Sequence, residues 1–154
     1  MYIIDFFYCN YNKNWYHTRM ETNDLIVSYS RDPVWQEVMK DYTVMQKVEN
    51  TVCGDFIIVY VKIDANDRIE AFSWSGDPAM HTLASASLLT EYIVGESVET
   101  VLDRSYTQIK ERWFMVSTRR QRSAVTALLA TRNALHARRN DWITDTYEKL
   151  LMTD

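Results

Sequence analysis

Glycine and proline are scarce in this chain, three of one and two of the other among 154 residues. Breaks between elements must therefore be read from hydrophobic period and polar clusters, and no linker or internal repeat is visible. Cysteine is scarcer than a stapled secreted domain requires: Cys9 and Cys53 cannot build a paired disulfide framework. No sequence near Met1 joins a basic segment to a long apolar one, as a secretion signal would. No run approaches the roughly 18 apolar residues of a membrane span. These absences predict a soluble chain in a reducing compartment, the cytoplasm or the mitochondrial matrix.

What is present suits one globular domain over residues 1–154. A hydrophobic content of 47% and a charged content of 25% allow a core that needs neither metal nor disulfide. Five Trp, ten Tyr and five Phe supply large apolar bodies, for a core of big side chains or for a contact surface. Charge is segregated along the chain. From Arg104 to Arg139 nine Lys or Arg stand against one acid, Glu111, a balance of +8 that leaves −12 for the rest of a chain of net charge −4. Arg119, Arg120, Arg122, Arg132, Arg138 and Arg139 thus form a candidate basic surface, for an acidic protein partner or for RNA, with a solvated helix face as the plain alternative. No RNA-binding motif accompanies them.

Local patterns set the order of elements. Met1 to Tyr8 reads as a helix or an arm laid across the core, ended by the polar stretch Asn10 to Asn14. Leu25 to Tyr29 has strand composition, and Asp32-Pro33 predicts a capped helix to about Lys40. Thr43 to Glu49 reads as a strand. Phe56 to Ile63 and Arg68 to Trp74 flank the turn cluster Asp64 to Asp67 and form the clearest hairpin. Ala79 to Val94 is helical by period, with Gly95 as its stop, and Ser97 caps a short helix to about Arg104. Residues 106–116 read as a short helix or a loop. Ser123 to Ala137 is a long Ala- and Leu-rich helix, and Asp141 is placed to cap a last one through Leu151. Strands first and helices after predict an α+β domain: a small antiparallel three-stranded sheet with helices on one face.

Three stretches together resemble one family. Asn50-Thr51-Val52-Cys53-Gly54-Asp55 is similar to the Asn-Pro-x-Cys-Gly-Asp motif of the NifU-like, IscU- and SufU-type iron-sulfur cluster assembly scaffolds. Ala84-Ser85-Ala86-Ser87-Leu88-Leu89-Thr90-Glu91, with Gly95 and Ser97 beyond, resembles the family's Ala-Ser-Ala-Ser-x-Leu-Thr-Glu helix and its Gly-x-Ser exit. Ser117 to Ala124 resembles the Ser-x-x-Arg-x-Lys-Cys-Ala stretch that opens the last conserved helix. The first 49 residues match poorly. Ile3-Ile4-Asp5 is similar to the family's first helix, but the Asn-Pro-Arg-Asn-x-Gly signature is missing, and residues 20–40 read as an insertion.

The resemblance implies three cluster thiolates helped by an aspartate. Carried over by position, the first cysteine is Cys53 and the aspartate is Asp55. The second position holds Ala79 and the third Ser123. A methyl donates nothing and a serine hydroxyl is a hard, protonated oxygen, so one soft ligand of three remains. His81, two residues beyond Ala79, is the remaining candidate ligand, giving a Cys, Asp, His set that zinc accepts. Cys53 alone is a candidate persulfide carrier, although no neighbour in the local sequence is cationic to favour the thiolate. Pro78 and Met80 replace small residues of the family's loop, which predicts apolar contact between Ala79, Met80 and the helix after Ser123.

The resemblance therefore implies a degenerate scaffold homologue, not an enzyme, that acts as a structural or interaction protein in a larger assembly, with no cofactor expected. The alternative is residual cluster assembly, or persulfide or zinc handling, through Cys53 and Asp55.

Overall fold

The computed structural model describes residues 22–108 and 116–152. Helix α1 (Thr22–Arg31) precedes strands β1 (Val44–Asn50), β2 (Asp55–Ile63) and β3 (Ile69–Asp77). Helices α2 (Met80–Ile93), α3 (Val98–Leu102), α4 (Gln121–Arg139) and α5 (Tyr147–Met152) follow, with a single 3₁₀ turn, Thr118–Arg120, leading into α4. The three strands form an antiparallel meander in the order β1-β2-β3. An α+β domain with a three-stranded sheet is thus what the chain builds. The expectations for Met1 to Tyr8 and for most of 106–116 lie outside the described residues.

Alternation along β2 decides which sheet face is covered. Ile57, Val59 and Val61 are fully buried, and Phe72 and Trp74 of β3 join them on the same face. Against this face lie α2 and α4, whose Ala86, Leu89 and Ile93, and Ala127, Leu128 and Ala134, complete the core. Small residues dominate the buried side of α4, so its backbone lies close to β1 and β2. Ser97 caps α3 as its position predicts, its Oγ accepting from Thr100 N at 3.1 Å. Asn140, in the left-handed conformation at φ 54°, ends α4.

The N-terminal part departs from the sequence expectation. Leu25 to Tyr29 is not a strand but the centre of α1. Leu25, Ile26 and Tyr29 recur at helical spacing and pack as one stripe in a second apolar cluster with Ala84, Leu88 and Tyr106. Tertiary packing overrides the β propensity of Ile and Val here. Nor do residues 32–40 form a helix. The chain instead runs along the open edge of β3: Trp74 N donates to Trp35 O at 3.1 Å, Trp74 Nε1 to Val34 O at 3.0 Å, and Val34 N to Ser87 Oγ at 3.2 Å. Trp35 adopts a φ of 58° to present its carbonyl to the strand.

Asp141 does not cap the last helix either. Its carboxylate accepts from Ile143 N at 3.0 Å and lies 2.7 Å from His136 Nδ1. The cap of α5 is Thr146, whose Oγ1 accepts from Lys149 N at 3.2 Å.

Candidate functional site

The β1–β2 connection closes on one buried residue. Asn50, fully buried at the end of β1, accepts at its carbonyl from Cys53 N at 3.1 Å and from Gly54 N at 2.8 Å. Gly54 sits at φ 72°, where an L side chain is strained, and this turn lifts Cys53 into solvent as a free thiol. The Asn50 side chain reaches across the fold, Nδ2 donating to Ser123 Oγ at 3.3 Å. Cys53 Sγ lies 3.5 Å from the same hydroxyl. The first and third positions singled out in the sequence thus converge, 70 residues apart in the chain.

Asp55 begins β2 directly opposite Asn50 and is 6% exposed. Its Oδ2 accepts from Ala79 N at 2.9 Å and from Thr82 Oγ1 at 2.7 Å. Ala79 is the N-cap residue of α2 and has no side chain to cap with, so Asp55 supplies the acceptor from another strand. A carboxylate there also complements the positive end of the helix dipole. Gly76 permits the close strand approach beneath this corner, because a Cβ there would meet Phe56 O at 2.6 Å. Thr82 was not singled out in the sequence. Its signal was positional: a hydroxyl in the first turn of a helix that lacks its own cap.

The second position, Ala79, joins the cluster only through its backbone N–H. Met80 is 50% exposed and belongs to neither apolar cluster. Between α2 and the start of α4 lies a polar contact: the Ser85 hydroxyl donates to Thr82 O at 2.9 Å, with Ser123 O as a second, longer acceptor at 3.3 Å. Small buried residues along this part of α2 leave space for polar contact rather than for a methionine. His81 does not approach Cys53 and Asp55. Its Nε2 lies 2.9 Å from Arg120 Nη1, and burial, then the Arg120 charge, push its pKa below the ordinary histidine value. Among the described residues no three His, Cys, Asp or Glu side chains converge as a metal-binding group.

Two acceptors in this corner, Asn50 Oδ1 and Asp55 Oδ1, are buried without a hydrogen-bond partner among the described residues. Beside them opens a cavity of about 370 Å³ lined by Glu49, Asn50, Thr51, Gly54, Asp55 and Phe56. Near the same corner, α5 leans on α4 through Tyr147, whose Oη is 3.1 Å from Thr126 Oγ1 beneath the Arg122 guanidinium. Burial pushes the Tyr147 phenol pKa up.

The arginines do not form one basic surface. Arg120 meets His81, and Arg122 pairs with Glu148 at 2.6 Å. Arg138 pairs with Asp67 at 2.6 Å and Arg139 with Glu99 at 2.7 Å. Arg132 is not a surface cation: its side chain is 13% exposed and bonds Asp145 at 2.5 Å and the Arg104 carbonyl at 2.7 Å. Arg119 is exposed. Charges segregated along the chain are thus largely paired in space, each with an acid from a different element. Lys110 and Arg112 lie outside the described residues.

Known proteins share both sequence and fold with this chain. The family model described as the NifU-like N-terminal domain matches residues 21–141. The chain is 30% identical over 83 residues to the iron-sulfur cluster assembly scaffold protein IscU of Thermotoga maritima, covering 54% of this chain and 58% of that protein. It is 32% identical over 81 residues to the zinc-dependent sulfurtransferase SufU of Bacillus subtilis, covering 53% and 54%. It therefore spans little more than half the length of these relatives. Among solved structures, a nitrogen-fixing NifU-like protein (N-terminal) from Brucella abortus superposes with a TM-score of 0.62 at 15% identity, over 79% of this chain and 95% of that one. The SufU protein of Fervidobacterium islandicum AW-1 superposes with a TM-score of 0.61 at 16% identity, over 73% and 94%. These structures share the fold, and the family match over most of the sequence makes this chain a member of the NifU-like N-terminal domain family.

Proposed function

We propose that this chain keeps the scaffold fold as a non-catalytic structural or interaction protein, working as a subunit of a larger assembly. The observation that carries the reading is the donor set at the Cys53 corner. One thiol and one hydroxyl lie 3.5 Å apart, the carboxylate of Asp55 is already held by two hydrogen bonds, and an alanine stands at the remaining position. A tetrahedral zinc ion takes four Cys, His or carboxylate donors, three of them protein residues where a water is kept, and an iron-sulfur cluster is held by thiolates. The residues described here do not fit either group. The corner is instead tied by Asn50, Ser85, Thr82 and Asp55 into a hydrogen-bonded joint between sheet and helices.

A second reading keeps sulfur or metal handling at Cys53 and Asp55, with ligands lent by a partner. The exposed thiol and the two unpartnered buried oxygens beside it favour this reading. Anaerobic reconstitution with iron and sulfide, followed by absorption spectroscopy and metal analysis, separates the two. An empty protein is expected. A stable cluster or stoichiometric zinc on the purified chain would establish the second reading and overturn the first.

A further inference from the structure

The outer edge of β1 carries a pattern that the cluster corner does not explain. β1 is an end strand, paired with β2 alone among the described residues. Its outward residues Lys47 and Glu49 are exposed and bonded to each other at 2.6 Å. Its inward residues Val44 and Val48 touch the core yet are only partly buried. The Lys47 carbonyl accepts from the Gln46 side chain at 3.0 Å, a bond that an incoming strand replaces; an end strand is a template for another strand, and charges along it decide which strand is accepted.

We infer that this edge pairs with the same edge of a second copy, extending the sheet to six antiparallel strands about a two-fold axis at Val48. The register follows from the sequence. With Val48 opposite Val48 of the second copy, Lys47 falls opposite Glu49 of that copy and Glu49 opposite its Lys47. Two opposite-charge cross-strand pairs therefore form on one face, while the uncovered parts of two Val48 side chains meet on the other. An isologous contact needs a self-complementary patch, and Lys47-Val48-Glu49 is the shortest form of one. Parallel pairing in register would set Lys47 against Lys47, so the charges select the antiparallel arrangement. The inference is independent of any metal or sulfur chemistry at Cys53.

Sedimentation velocity and light scattering of the full chain, from micromolar to near-millimolar concentration, test it with three proteins. The wild type is expected to show a mass rising towards twice that of the chain. Lys47→Glu places like charges opposite each other and should weaken dimerisation about tenfold, two lost pairs at about 0.2–1 kcal/mol each with repulsion added. Combining Lys47→Glu with Glu49→Lys restores the opposite-charge pairs in reversed order and should return the wild-type constant within about twofold. Both side chains are exposed, and circular dichroism checks that each variant is folded. A wild type that stays monomeric throughout, a dimer indifferent to Lys47→Glu, or a double variant no better than the single one overturns the inference.

Discussion

Asp55 Oδ2 lies 2.7 Å from Thr82 Oγ1, a bond that ties the first residue of β2 to the first turn of α2. Together with the Ala79 N–H it makes this carboxylate the external cap of a helix that cannot cap itself. Asp55→Ala should cost about 1–3 kcal/mol of folding free energy, because two donors lose their acceptor. Thr82→Val should cost less, since the Ala79 bond survives. Urea unfolding of both variants checks the order.

Adding thiols should create a metal site. Cys53 Sγ and Ser123 Oγ are already 3.5 Å apart, and Ala79 meets the same corner through its backbone. The double variant Ala79→Cys, Ser123→Cys is expected to bind one zinc per chain, read by native mass spectrometry and metal analysis, while Ser123→Cys alone binds far more weakly. A double variant that stays metal-free would show that the loops are not shaped for a metal.

Much of this corner was legible in the sequence, and the reason is local. Cys53-Gly54-Asp55 and the stretch from Ala84 to Glu91 carry their own turn and helix signals, and the hairpin between them is rich in Val and Ile on either side of a polar turn cluster. The joint itself was not legible. Asp55 as a cap for α2 depends on a strand and a helix meeting 24 residues apart in the chain, and no local signal encodes that meeting. Leu25 to Tyr29 failed for the converse reason. Its β-branched content favours a strand in isolation, but its apolar residues are spaced for the stripe that α1 buries against α2.

Acid should loosen the C-terminal end first. Burial by itself would raise the Asp145 pKa, but Lys149 and Arg132 outweigh it and hold the carboxyl below its ordinary value. A group lowered in the folded state stabilises above its unfolded pKa and loses that contribution as pH falls through the folded one. The melting temperature should therefore drop below about pH 4. Asp145→Asn should flatten part of that drop while lowering stability at neutral pH, because Arg132 is left half-buried without its partner. Thermal melts from pH 2 to 7 measure both effects.

The Trp74 indole supplies one of the three hydrogen bonds that hold the cover along the β3 edge. Trp74→Phe removes the Nε1 bond to Val34 O at a cost of about 0.5–1.5 kcal/mol. Local opening of residues 33–42 should increase more than global unfolding does. Limited trypsin digestion is expected to cut faster after Lys40 in the variant, with no matching change at Arg68 in the β2–β3 turn.

The external cap changes what an aspartate in this position signifies. Its carboxylate anchors the start of α2 whether or not a metal ever arrives, so the fold alone gives this residue a reason to be an aspartate. A cysteine-glycine-aspartate triplet read alone does not separate a helix cap from a metal ligand. The informative positions are the ones where Ala79 and Ser123 stand.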